Sequence, residues 1–157
     1  MANKLIGLIM ALPLLGAGPN GAGPKGYKYW SAEELQAMAK TLAPKVNTRK
    51  VALESLGAFG ADRALMVHRE KSGEAELHEN DSDLIVMVSG TAALLVGGTM
   101  PGSQTTAPGE RRAASLVGGE RQKLGPGDIL HIPPKTPHQL LLEPGTQITY
   151  FTLKVKE

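Results

Sequence analysis

Hydrophobic spacing divides the chain into stretches of different period. Over residues 31–42 the apolar side chains Leu35, Met38, Ala39 and Leu42 recur at i, i+3, i+4 and i+7, which predicts one amphipathic helix. Ser31 is placed to cap it, Glu34 three residues on completes a capping box, and Pro44 ends it. From about Val51 the pattern changes to alternation and short apolar runs. Residues 64–70 (ALMVHRE) and 74–79 (EAELHE) flank a Lys-Ser-Gly turn and predict a hairpin. Residues 83–89 (DLIVMVS) read as a strand buried on both faces, Gly90 permits a tight turn, and 91–98 runs back. Residues 99–109 read as a polar loop, and 110–124 as an outer hairpin pivoting at Gly118 and Gly119. Residues 127–133, 138–143 and 147–155 complete the strands. Short strands with turn signals and no helix between them predict an antiparallel all-β sandwich or barrel, with one short N-terminal helix.

The first residues have a third pattern. Residues 1–18 carry one early charge, Lys4, then an apolar run from Leu5 to Leu15 and small residues, as in a secretory signal peptide. The run is shorter than the roughly 20 residues of a membrane span. The expected organisation is a signal peptide over 1–22, a linker and helix over 23–49, and a β domain over 50–157. The expected location is periplasmic or secreted, with no stable membrane insertion. The YKYW cluster at 27–30 is expected to pack on the β domain.

Composition narrows the chemistry. The chain has no Cys, which removes thiol catalysis and thiolate metal sites. Net charge is +2 with the two signs interspersed, and aromatics make up 4%, too few for base-stacking platforms. Nucleic acid is not an expected partner. No nucleophile elbow, P-loop or dinucleotide fingerprint occurs.

Two segments carry the remaining chemistry: HENDSDLIVMVSG at 78–90 and GDILHIPPKTPH at 127–138. The first holds His78, Asn80, Asp83 and Gly90, with six residues between Asp83 and Gly90. The second holds Gly127, Pro133 after five residues, and His138. Together they resemble the two signature motifs of the cupin superfamily. The usual first motif is a Gly, His-x-His, three or four residues, Glu, six residues and Gly. Set against it, His78 takes the first His position, Asn80 the second and Asp83 the acid, with a shorter gap than usual between Asn80 and Asp83. In the second motif Lys135 stands where Gly is usual and Leu142 replaces an Asn. TAPGE, LGPGDILHIP, TPHQLL and TYF are similar to segments of small exported bacterial cupins.

The resemblance implies a cupin-type antiparallel β-barrel, a jelly roll, with a metal inside. Side chains two apart on a strand share a face, so His78 and Asn80 would both point inward. Two imidazoles and a carboxylate with open positions suit Fe(II), and Mn or Zn is chemically reasonable. A third imidazole would favour Cu, and His68 is its nearest source, because the 64–79 hairpin would set it opposite Glu76. The expected metal ligands are thus His78, Asp83, His138 and His68, holding one divalent transition metal ion. Glu76 is the candidate carboxylate base, with a salt-bridged Glu as its alternative. Asn80 is the candidate substrate contact. His131 reads as structural, and Gln139 as pointing away from the site. Arg111 and Arg112 could clamp an anion, or lie on a solvated outer face.

The expected function is an exported metal-dependent oxidoreductase acting on a small organic or carbohydrate-derived molecule. The alternative is a non-catalytic binding or structural cupin. The interior discriminates them: a polar cavity above about 300 Å³ would fit a ligand, and an interior filled by apolar side chains would not. Cupins of this type pair through edge strands or N-terminal segments, which makes a homodimer the expected assembly.

Overall fold

The structure, a computed structural model, describes residues 24–157, so the signal-peptide expectation for residues 1–22 lies outside the described residues. The helix forms where its apolar period places it, as α1 (Ala32–Leu42). Both halves of the capping box are made: Glu34 N donates to Ser31 Oγ at 3.1 Å, and Ser31 N donates to Glu34 Oε2 at 2.8 Å. A single 3-10 turn (Ala43–Lys45) containing Pro44 closes it. No helix among the described residues is long and apolar enough to cross a membrane.

Eleven strands follow among the described residues. One sheet is built from β1 (Val51–Phe59), β2 (Asp62–Arg69), β11 (Ile148–Lys156), β4 (Asp81–Ser89) and β9 (Ile129–Ile132), in that order. The other runs β6 (Gln104–Ala107), β7 (Glu110–Ala113), β3 (Ala75–His78), β10 (His138–Leu141), β5 (Ala92–Val96) and β8 (Glu120–Leu124). Every pairing is antiparallel. The sheets are separate, so the expected closed barrel is realised as two sheets enclosing one core.

That core is Val67, Ile85, Met87, Leu94, Leu124, Leu140, Ile148 and Tyr150, from the inner faces of both sheets. A second cluster lies under α1, where Ala39 and Leu42 meet Ala52, Met66 and Val88 on the outer face of the first sheet. Trp30 packs there too, 5.6 Å from the Phe151 ring and 6.2 Å from Phe59, while Tyr27 and Tyr29 stay exposed.

Three local expectations are corrected. The hairpin between 64–70 and 74–79 does not form: β2 pairs with β1 and β11, and β3 pairs with β7 and β10 in the facing sheet. The long β11 offers β2 seven aligned partners, and the Lys71-Ser72-Gly73 segment is tied to β10 instead. Gly73 N donates to Leu140 O at 2.9 Å, and Leu142 N donates to Ser72 Oγ at 2.9 Å. The hairpin over 110–124 is likewise absent, because β7 and β8 sit on opposite sides of the second sheet. The 99–109 loop contains a short exposed strand, β6, added at the sheet edge. Gly90 does serve as a tight turn: its φ is +79°, and a Cβ there would come within 2.0 Å of the Gln147 carbonyl oxygen.

Candidate metal centre and cavity

Strand alternation decides which side chains meet between the sheets. On β3, Glu76 and His78 share the inner face, and on β10 His138 pairs with Glu76. On the facing sheet, Asp83 of β4 is directly opposite Lys154 of β11. The β3 end is fixed by a contact across the second motif: Lys135 N donates to His78 O at 2.7 Å. Lys135 has φ +62°, the left-handed conformation that Gly adopts without cost, so the turn keeps its shape despite the substitution.

Potential ligand atoms of Glu76, His78 and His138 lie within 4.8 Å of one another, close enough to hold a metal ion. His78 Nε2 is 3.6 Å from Glu76 Oε2 and 3.2 Å from Asp83 Oδ2, and His138 Nε2 is 3.5 Å from the same Asp83 oxygen. Both imidazoles are oriented from behind. The Thr136 carbonyl, 3.0 Å from His138 Nδ1, can only accept, so Nδ1 carries a proton and Nε2 is turned towards the cluster. The Glu110 carboxylate does the same at 2.8 Å from His78 Nδ1. Two imidazoles and two carboxylates converge here, a set that attracts a cation, and once the imidazole Nε2 atoms give up their protons their chemistry fits a divalent transition metal.

One cation of the chain already points there. Lys154 Nζ is 2.6 Å from Asp83 Oδ1 and 2.9 Å from His78 Nε2. Arg112 pairs with Glu76, and with Glu110 at 3.1 Å. Burial works against the charged forms of Glu76, Asp83 and His78 and is overridden. Glu76 is brought down to about 2 by the His78 hydrogen bond and the Arg112 charge. Asp83 is held well below the usual carboxylate range by hydrogen bonds from His138 and His78 and by Lys154. His78 is pushed up to about 9 by Asp83 and Glu76. A proton on His78 Nε2 excludes the hydrogen bond that Lys154 donates to it, so proton and ammonium are alternatives. Both meet the same demand for positive charge.

These shifts set a pH profile for the metal-free protein. Glu76 falls from an ordinary 4.5, so its contribution is complete above that pH and is lost as pH drops towards 2. His78 rises from an ordinary 6.5, so its contribution is complete below that pH and is lost as pH climbs through about 9. Thermal midpoints in chelator are expected to be highest between about pH 4.5 and 6.5 and to decline on both sides. A midpoint that keeps rising from about pH 6.5 to 9 would contradict the assignment.

The structure places the sequence-derived residues as follows. His78, Asp83, His138 and Glu76 come together. Glu76 joins the close trio, where the sequence reading gave the carboxylate position to Asp83, and Asp83 faces Lys154. His68 does not join. It lies on the α1 side of β2 with Met66, its Nδ1 2.8 Å from Thr149 Oγ1, because the hairpin that would have turned it inward is not made. Asn80 does not join either: it is exposed in the turn after β3, beside Gly109, and does not line the cavity. His131 is exposed on β9. Gln139 points away and ties Leu116 N and Gly73 O to β10. Of the two arginines, Arg112 faces inward and Arg111 outward, bonding Ser103 Oγ at 2.6 Å.

The close trio fits a first motif read two residues earlier than the resemblance suggested: Glu76 and His78 would take the two His positions, with four residues between His78 and Asp83 and six between Asp83 and Gly90. The short gap left by placing Asn80 in the motif was the signal for this register. Lys154, Glu110 and Thr136 carried no comparable signal.

Above the cluster a cavity of about 670 Å³ opens between the sheets. Leu53, Leu65, Val67, Ile85 and Leu140 form its apolar wall, and Glu76, Asp83, His138 and Lys154 lie at one end. The interior is thus open and partly polar, not filled.

No family model and no curated protein matches the chain. Solved structures do. TT1209 from Thermus thermophilus matches with TM-score 0.54 and 16% identity over 74% of this chain and 92% of that one. Rru_A2000 from Rhodospirillum rubrum, a cupin-2 domain, matches with TM-score 0.51 and 13% identity over 69% of this chain and 62% of that one. The polyketide cyclase RemF from Streptomyces resistomycificus matches with TM-score 0.48 and 16% identity, over 68% and 65%. The chain spans less than two thirds of the length of the last two. Two facing antiparallel sheets, the two motif segments converging between them, and the likeness to a cupin-2 domain give the chain the cupin fold.

Proposed function

We propose that this chain is an exported metal-binding cupin that acts on a small organic molecule, with oxidoreductase chemistry as its reaction class. One observation carries the reading: two imidazoles with Nε2 turned inward, beside two carboxylates, at the end of a roomy cavity. His78, His138 and Glu76 would hold the ion and Asp83 would be the fourth donor. A bound divalent transition metal would supply a Lewis acid or redox centre. The chain's residues supply the rest. The apolar wall excludes water from the body of a substrate, and Arg112 holds the Glu76 carboxylate in place. Lys154 is an ammonium beside the reacting end, able to bond an oxygen of the substrate once it leaves Asp83. Export rests on the pattern of residues 1–22, and a homodimer on the open edge of β9, where Ile129 is 67% exposed.

The test is metal analysis of protein purified without a His-tag, followed by chelation. About one metal ion per chain, removable with loss of thermal stability, is expected. A metal-free protein whose stability is indifferent to chelator and to added Fe, Mn, Zn or Cu would defeat the metal reading. It would favour the second one, a non-catalytic binding cupin whose internal cation is Lys154, which the Lys154 contacts to Asp83 and His78 support.

A further inference from the structure

The cations lining the cavity fall into two groups. Arg112 and Lys154 are neutralised by Glu76, Glu110 and Asp83. Arg69, Lys71 and Arg49 line the cavity as well, and none has a carboxylate within ion-pair distance among the described residues. Lys71 and Arg49 are exposed and can be left to water. Arg69 cannot: it is half-buried beside the Tyr150 side chain, and its Nε is fully buried and has no hydrogen-bond partner. A buried donor left without a partner, on a guanidinium with no carboxylate in ion-pair range, is costly and persists only where something repays it. Gly73 makes room for it, since a Cβ there would press to 3.0 Å from the guanidinium. Thr152, between Arg69 and Lys154 on the cavity wall, also has a buried hydroxyl without a partner.

The spacing of this arginine from the metal cluster sets the ligand's shape. Arg69 is paired with Ile148, whereas Lys154 is six residues further along β11, about 20 Å between backbone positions before the two long side chains reach inward. Between them the wall is Val67, Leu65, Ile85 and Leu140, with Leu53 towards the opening.

We propose that the cavity binds a small organic monoanion with an apolar body, its carboxylate forked on the Arg69 guanidinium and its other end directed at the His138 and Lys154 cluster. A planar guanidinium matches a carboxylate with two parallel hydrogen bonds, and Lys71 and Arg49 add attraction at the rim. The inference shares the cavity with the metal-binding reading but not the ion.

The test is calorimetric titration of chelator-treated protein with sodium hexanoate, with acetate and hexan-1-ol for comparison. Saturable binding of one hexanoate is expected, with acetate and hexan-1-ol each at least about tenfold weaker, because each lacks one of the two recognition elements. Arg69→Gln is expected to weaken hexanoate at least about tenfold and to leave hexan-1-ol unchanged. In the unmodified protein the Arg69 Nε–H resonance should shift over the same titration, a readout that does not depend on the variant folding. Absence of saturable binding, equal affinity for hexanoate and hexan-1-ol, or an unmoved Arg69 resonance would overturn the proposal. Because the protein is metal-free throughout, a failed metal analysis leaves this outcome intact, and the reverse also holds.

Discussion

Replacing His138 by Ala is expected to abolish stoichiometric metal binding and to leave a folded protein. The Thr136 carbonyl fixes the imidazole so that its Nε2 faces Asp83 and the rest of the cluster. Removing it leaves one imidazole, held by Glu110, and carboxylates already engaged with Arg112 and Lys154. Loss of a partner that merely orients a ligand costs roughly 10–100-fold in metal affinity, so loss of a ligand should cost at least the upper figure. The structural cost is smaller. His138 gives up one hydrogen bond to a carbonyl and one contact to Asp83, on the order of 1–3 kcal/mol, and Lys154 still satisfies Asp83. His131→Ala is the control, since that residue is exposed on β9 and should leave metal content untouched. Metal analysis and circular dichroism of the two variants decide the matter: equal metal in His138→Ala and in the unmodified protein would contradict the assignment.

The second large effect runs in the opposite direction. Lys154→Met is expected to raise metal affinity, by at least about tenfold as pH climbs towards 9 and a proton no longer takes the ammonium's place on His78, because it removes the cation that competes for His78 and Asp83. Met has nearly the length of Lys and no charge, so the inner face of β11 keeps its packing. The metal-free variant should be destabilised, by less than the about 3–5 kcal/mol of a broken buried pair, since a proton on His78 can take the ammonium's place beside Asp83. Added zinc should restore that loss, giving a larger rise in thermal midpoint than in the unmodified protein. Calorimetry and thermal denaturation with and without zinc measure both parts. Unchanged or weaker zinc binding in Lys154→Met would show that the ammonium and the ion do not share a site.

These two residues differ in how far the amino-acid sequence exposes them. His138 is legible because it ends a motif whose Gly127, Pro133 and spacing are local. Lys154 is the last inward position of a strand whose pattern, Tyr150, Thr152, Lys154, looks like any amphipathic edge. Only the register of β11 against β4, which brings Lys154 opposite Asp83, shows it to be inside. The helix at α1 was readable for the same local reason as His138: its cap, its period and its stop are contiguous. Pairings between distant segments were not. Placing β2 and β3 in one hairpin turned His68 inward, and the actual pairing of β2 with β11 turns it to the helix side. The same limit explains Asn80. A two-residue shift of motif keeps the strand face but moves its end, so Glu76 enters the cluster and Asn80 leaves it.

The most direct measurement is anomalous diffraction, at metal absorption edges, from crystals of tag-free protein. A single strong peak is expected between the sheets, about 2.0–2.2 Å from His78 Nε2, His138 Nε2 and a Glu76 or Asp83 oxygen, with Lys154 Nζ turned away. No peak at that position in crystals soaked with zinc or iron, and Lys154 still bonded to both His78 and Asp83, would contradict it.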